Sequence, residues 1–337
     1  MTDSVVFHKN SQKPMTTHEI PNPAEQVRRL VWKMAIATLL LMAIGSATRV
    51  MNAGLACPDW PLCYGELVPS RYMNLQVFLE WFHRLDAALL GVAAIVLVVM
   101  SWWSRRSLPR WVPWAAALIL GLIVLQGILG GLTVTQLLRF DIVTAHLGTA
   151  LLVFTSLLVI GTALTPYHGT GTVGKLSWIG LVAAILIYCQ SILGALVGSQ
   201  WALHQCFATS QLCRIMNSHI VGVVPATLVI LVLVVLAWRT PALHPHLRQL
   251  TKLAAGLLIG QIALGVATFY LHLQVEPLTV LHQVVGAALL GTLVSFTVLA
   301  LRDMPTEWVS DRSASWTKPS LNISEQVGRS MPSGGNA

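Results

Sequence analysis

Apolar stretches of roughly 20 residues or more, each long enough to cross the hydrocarbon core of a bilayer, recur eight times along this chain. They lie at about 31–53, 77–103, 112–135, 141–164, 174–198, 217–238, 250–271 and 278–301. The composition agrees, with 55% hydrophobic and only 10% charged residues over 337 positions, a balance far too apolar for an ordinary soluble domain. The expected fold is an all-α membrane protein of eight transmembrane helices. The first stretch follows a polar, proline-containing tail, is longer than the apolar region of a signal peptide and shows no small-residue cleavage site, so it is read as retained.

A formal charge of +8 raises the question of nucleic acid, and its placement answers it. Of the 21 Lys and Arg, 16 fall in the two tails or in the connections after spans 2, 4 and 6, counting those at span edges. By the positive-inside rule both termini are cytoplasmic. The charge is a topology signal, and nucleic-acid binding is not expected.

Span 1 reads "AIGSATRVMNAGLAC" and span 5 "ILGALVGSQWALHQC", so Gly45 to Cys57 and Gly194 to Cys206 are both twelve residues apart. Spans 3 and 7 share a further pattern, with Gln126 four before Gly130 and Gln261 four before Gly265. The chain therefore reads as two tandem four-helix bundles, residues 30–165 and 166–302, between tails 1–29 and 303–337. An even number of spans per unit relates the halves by a pseudo-two-fold axis along the membrane normal.

His83, His146, His219 and His282 fall at the starts of spans 2, 4, 6 and 8, on the non-cytoplasmic side. The separations His83 to His146 and His219 to His282 are both 63 residues. A lone histidine at a helix end is a hydrogen-bonded polar residue as readily as a ligand. Four in register suit two flat metal-bearing rings, one held in each half by facing imidazoles, with haem the natural candidate. Zinc or copper bound by all four is the competing reading. Gly45, Gly130, Gly131, Gly194 and Gly265 either let helices pack closely or let a macrocycle lie against backbone.

Glu80 shares a helical face with His83, and Arg84 follows Glu80 by four. Either the carboxylate reaches the space beside the ligand or it pairs with Arg84 at the membrane surface. The second half has Met216 at the matching place, so only one ring would have an acid beside it, as expected if one is worked upon and the other relays electrons. Asp86 is read as bound by a neighbouring helix. Cys57 with Cys63, and Cys206 with Cys213, lie in outer loops and read as disulfides, structural or redox-active. Cys189 in span 5 is expected to be a free, buried, small apolar residue. Arg49, Arg84 and Arg139 lie near the first-half site, as contacts to haem propionates or as interfacial anchors. The remaining seven histidines are assigned to surface roles, with His204 the nearest to an exception.

The segments "GSATRV", "GLACPDWPLCYG" and "EWFHR", together with the four helix-start histidines, resemble the haem A synthase family over about residues 30–302. The resemblance implies an oxidoreductase that converts haem O to haem A for respiratory haem-copper oxidases, oxidising the C8 methyl to a formyl group by successive hydroxylations. It implies that His83 and His146 flank the substrate haem O, that His219 and His282 ligate a haem b cofactor, and that Glu80 is the functional acid. Implied partners are haem O, the haem O synthase that supplies it, an electron donor, membrane lipid and further copies of the chain. The implied location is the bacterial inner membrane, with the cysteine loops outside. The alternative from another class is a bis-histidine di-haem membrane cytochrome that only transfers electrons.

Overall fold

The computed structural model describes residues 22–199, 211–271 and 275–303. Eight helices among them are long and apolar enough to cross a bilayer, which makes the chain a multi-pass membrane protein. They are α1 (Pro23–Val50), α2 (Leu75–Trp103), α3 (Val112–Thr135), α4 (Phe140–Ala163), α5 (Leu176–Ser199), α6 (Gln211–Trp238), α7 (Pro245–Tyr270) and α8 (Glu276–Arg302). The described residues contain no β-strand beyond one isolated bridge between Cys63 and Glu66.

Local sequence sets several helix starts. Asn22 and Asn74 turn their side-chain oxygens back onto the backbone N–H groups of Ala24 and Val77, at 3.1 and 2.9 Å, as N-caps do. Prolines stand at the first turns of α1, α3, α7 and α8, where a missing N–H removes nothing. Helices α1 and α7 begin well before their apolar stretches, because a helix carries on past the lipid boundary. The first turns there hold the polar side chains Glu25, Arg28 and Arg29, or His246 and Arg248. Within the spans, several threonine hydroxyls are satisfied by their own helix: Thr38 donates to Met34 O and Thr144 to Phe140 O, both at 2.7 Å. In lipid no water would otherwise satisfy them.

Helices α1 to α4 pack as a closed ring, each against the next and α4 against α1, and α5 to α8 repeat that ring. The halves meet through α1 with α8, α4 with α5, and α4 with α8. Exchanging α1 with α5 and α4 with α8 maps this set onto itself, which is what a two-fold relation between the halves requires. The axis then runs by the α4–α8 contact, and α8 is the most buried of the eight spans with α4 next. Small residues permit the close approach: Gly291 on α8 receives Phe154 and Leu158 of α4, and Gly180 on α5 receives Phe296 of α8.

A latch at the other end ties the connection between α4 and α5 to the end of α8. Asp303 is 1% exposed and accepts from the Thr170 N–H and, at 3.3 Å, from the Thr170 hydroxyl. Arg302 donates to the Thr162 and Thr165 carbonyls, both at 2.9 Å, at and just beyond the end of α4.

Candidate functional site

The four helix-start histidines keep a strict register. His83 stands eight residues after the first residue of α2 and His219 eight after the first described residue of α6, and His146 and His282 stand six after the first residue of α4 and α8. At 1.5 Å per residue this is about 12 and 9 Å into the helices. The preceding helices answer in kind: Gly45, Gly130, Gly194 and Gly265 each stand five residues before the last described residue of α1, α3, α5 and α7.

Each histidine lies against one of these glycines. A Cβ on Gly45 would sit 2.8 Å from His83 Cε1, on Gly194 3.1 Å from His219 Cε1, on Gly265 3.0 Å from His282 Cε1, and on Gly130 3.5 Å from His146 Cε1. The glycines thus make room for imidazole rings against the neighbouring backbone, a purpose neither of the two sequence readings contained. The recurring glycine offset is the signal that would have revealed it. Gly131 has a different neighbour, the indole of Trp60 from the α1–α2 connection.

In the first half the rings of His83 and His146 face each other edge to face, with centroids 6.5 Å apart. In the second half His219 and His282 line a common cavity of about 520 Å³ whose wall is mostly apolar, a size that suits a medium-sized ligand. All four Nδ1 atoms are buried without a hydrogen-bond partner, and buried unpartnered nitrogens are costly. Among the described residues, no three His, Cys, Asp or Glu side chains converge to hold an ion. The histidines stand as two pairs. A flat ring carrying its own equatorial ligands needs only two axial nitrogens from the protein. Bonds of about 2 Å on either side of an ion are compatible with the 6.5 Å spacing, and in the second half the cavity lined by His219 and His282 leaves room for such a ring. The residues present therefore fit haem.

Glutamines flank three of the rings at the position four before the glycine: Gln126, Gln190 and Gln261, with Leu41 in the fourth place. Gln126 Nε2 donates to His146 O at 2.8 Å, and Gln261 Nε2 lies 3.3 Å from His282 Nε2.

Glu80, one turn before His83, is 4% exposed and its two oxygens have separate partners. Oε2 accepts from the Cys57 N–H at 2.8 Å and Oε1 pairs with Arg84 Nη2 at 2.5 Å. Arg84 Nη1 also donates to the Asp59 and Leu62 carbonyls, at 2.7 and 2.5 Å. Cys57 and Cys63 form a disulfide with Cα atoms 4.8 Å apart, and both are buried. The loop between them is tightened by Asp59, which accepts from the Tyr64 and Gly65 N–H groups at 2.6 and 2.7 Å. Those bonds, from Gly65 above all, hold the Asp59 carboxyl below its ordinary range. Gly65 sits at φ +71°, in the left-handed region that glycine enters without strain. Met216 takes the place of Glu80 in the second half and lines its cavity.

The three arginines are not gathered at the first-half site. Arg84 is committed to Glu80 and the disulfide loop. Arg139 is exposed and pairs with Asp141 at 2.6 Å, a pairing that raises its own proton affinity. Arg49 turns away to the second-half cavity, whose wall it joins, because its position on α1 faces the seam with α8. Asp86 makes no hydrogen bond or ion pair within the described residues. Cys189 is free but exposed on the flank of α5, correcting the expectation of burial, since an apolar neighbourhood in sequence does not separate lipid from core. Cys206 and His204 lie outside the described residues, and with Cys206 the second predicted disulfide.

The family model described as COX15-CtaA, cytochrome oxidase assembly protein, matches residues 28–294. A protein of Caulobacter vibrioides named heme A synthase is 30% identical over 328 residues, covering 79% of this chain and 94% of that protein. One of Shewanella oneidensis with the same name is 29% identical over 320 residues, covering 79% of this chain and 95% of its own length. A protoheme IX farnesyltransferase of Halobacterium salinarum is 30% identical over 159 residues, which is 47% of this chain but 34% of that protein. A match that takes in both histidine pairs and the clamped Glu80 places the chain in the COX15-CtaA family of cytochrome oxidase assembly proteins.

Proposed function

We propose that this chain is a haem A synthase, oxidising a methyl group of haem O to a formyl group by successive hydroxylations. The observation that carries the reading is the unequal pair of sites: two histidine pairs of like construction, with a buried carboxylate one turn from a histidine in the first half and Met216 in its place in the second. The likeness to proteins named heme A synthase over 79% of this chain supports it. The electron-carrier reading gives the Glu80 carboxylate no task beyond holding the disulfide loop.

In this reading residues 30–165 hold haem O between His83 and His146, and residues 166–302 hold haem b through His219 and His282. The bound haem b supplies electron transfer through its iron. The protein's own part is positional. Glycine faces brace the imidazoles, the apolar cavity wall excludes water, and Glu80 directs negative charge toward the electron-poor carbon formed during oxidation. Low surrounding polarity enlarges that effect. Arg84 and the Cys57 N–H fix where the carboxylate points, so nothing has to reorganise as charge develops.

The bias of basic residues toward the two tails supports cytoplasmic termini in a bacterial inner membrane, with the Cys57–Cys63 loop outside. The likeness to part of a protoheme IX farnesyltransferase supports supply of haem O by an enzyme of that class. The test is expression in cells that make haem O but not haem A, followed by chromatography of extracted haems. New haem A is the expected result, and its absence from correctly inserted protein overturns the proposal.

A further inference from the structure

The cavity between His219 and His282 belongs to the second half, yet a cation of the first half forms part of its wall. Arg49, on α1, lies against Gly198 of α5, where a Cβ would stand 3.0 Å from Nη1 and 3.1 Å from Nη2. Its one described polar bond is a long one, 3.4 Å from Nη2 to the side-chain oxygen of Gln283, the residue after His282.

Arg49 and Gly198 are equivalent positions, each four residues after its histidine-facing glycine, Gly45 or Gly194. The guanidinium of one half therefore fills the space left by the missing side chain of the other. Two arginines there would meet as like charges across the seam. One arginine and one glycine put a single cation at the junction, on the second-half side.

No counter-ion for that cation stands among the described residues. Among the described residues Arg49 makes no ion pair, and the connecting segments 200–210 and 272–274 contain no Asp or Glu. The end of α1 favours a cation through its dipole, but by too little to offset withdrawal from water, and one bond to a neutral amide adds little. A snorkelling arginine would turn out to solvent. This one turns into the cavity.

We infer that Arg49 binds a carboxylate on the edge of the macrocycle held by His219 and His282, so that the first half completes the ligand site of the second. The inference rests on the reading that the second half holds a porphyrin. Arginine suits the task because its fork of N–H donors matches a carboxylate. A fixed positive charge there also favours the reduced state of the iron, raising its potential.

The test uses full-length protein from cells unable to make haem O, so that haem b alone is bound. Haem loss to excess apomyoglobin and the midpoint potential are measured for wild type, Arg49→Met, Arg49→Lys and Gly198→Ala. Expected are haem loss on the order of ten- to a hundred-fold faster in Arg49→Met, with a lower potential, substantial recovery in Arg49→Lys, and a smaller shift in the same sense in Gly198→Ala. Wild-type values in Arg49→Met, or Arg49→Lys as defective as Arg49→Met, overturn the inference. Should Arg49→Met fail to accumulate, Gly198→Ala decides, and unchanged loss and potential there overturn it. His219→Ala separates the two levels: an unaltered haem b spectrum in that variant refutes the porphyrin reading itself, whereas a lost spectrum beside an unaffected Arg49→Met refutes only the role of Arg49.

Discussion

The backbone N–H of Cys57 donates to Oε2 of Glu80 at 2.8 Å, across 23 residues of chain. A disulfide loop and the proposed functional acid are therefore one mechanical unit, with Arg84 bonded to both. Glu80→Gln keeps an acceptor for Cys57 but removes the charge. Its formyl production is expected to fall by roughly a hundred-fold or more while haem is still bound, and undiminished haem A by chromatography would rule the role out. Glu80→Ala removes the acceptor as well, leaving the buried Cys57 N–H without a partner and the Arg84 guanidinium without its counter-ion, at a cost of about 1–3 kcal/mol. It is expected to speed reduction of the Cys57–Cys63 bridge, followed by thiol labelling, where Glu80→Gln does not.

His219→Ala and His282→Ala are expected to abolish the haem b signal in reduced-minus-oxidised spectra. His83→Ala and His146→Ala are expected to keep that signal and lose haem O retention and haem A production. Identical spectral losses from all four variants would mean that the halves do not divide the labour as proposed.

The glycine series grades by distance. A methyl on Gly45 must displace His83, because 2.8 Å is closer than real Cβ contacts come, whereas 3.5 Å at Gly130 is ordinary contact. Gly45→Ala is expected to lose most of the haem bound in the first half, Gly130→Ala to stay near wild type, and Gly194→Ala and Gly265→Ala to weaken haem b. Haem per protein after purification measures all four. Equal tolerance at Gly45 and Gly130 would show that the imidazoles are not braced by these helices.

Asp59 sets a pH dependence for the outer loop. Hydrogen bonds from Gly65 and Tyr64 lower its proton affinity in the folded protein, so its contribution is fully present above the ordinary carboxylate range, about pH 4, and is lost as pH falls through its lowered folded value. Hydrogen exchange at Tyr64 and Gly65, corrected for intrinsic rates, is expected to show protection that declines in acid. In Asp59→Asn protection should be weak and lack that decline, and an acid decline that persists would assign the effect to another group.

The number of spans, the tandem rings and the common depth of the four histidines were legible because lipid imposes a length on every helix and duplication repeats spacing. The Cys57–Cys63 bridge was legible from short separation in a loop. Rotation about each helix axis was not. A span whose lipid face and core face are both apolar carries little periodicity to orient it, which is why the exposure of Cys189 and the direction of Arg49 emerged only from the packed helices. The same ignorance hid the partners of the glycines: sequence shows a missing side chain but not whose ring takes its place. Glu80 stood between two readings, and the structure supplies the Arg84 pairing of one without removing the acid from its turn beside His83.

Helix α4 turns one side to each half. It carries His146 toward His83, and its next residue, Leu147, together with Leu151, forms part of the wall around His219 and His282. Protein interiors are as incompressible as organic crystals, so this partition cannot yield on one side without encroaching on the other. Whatever widens the cavity at Leu147 and Leu151 therefore leans on the same helix that presents His146 to His83.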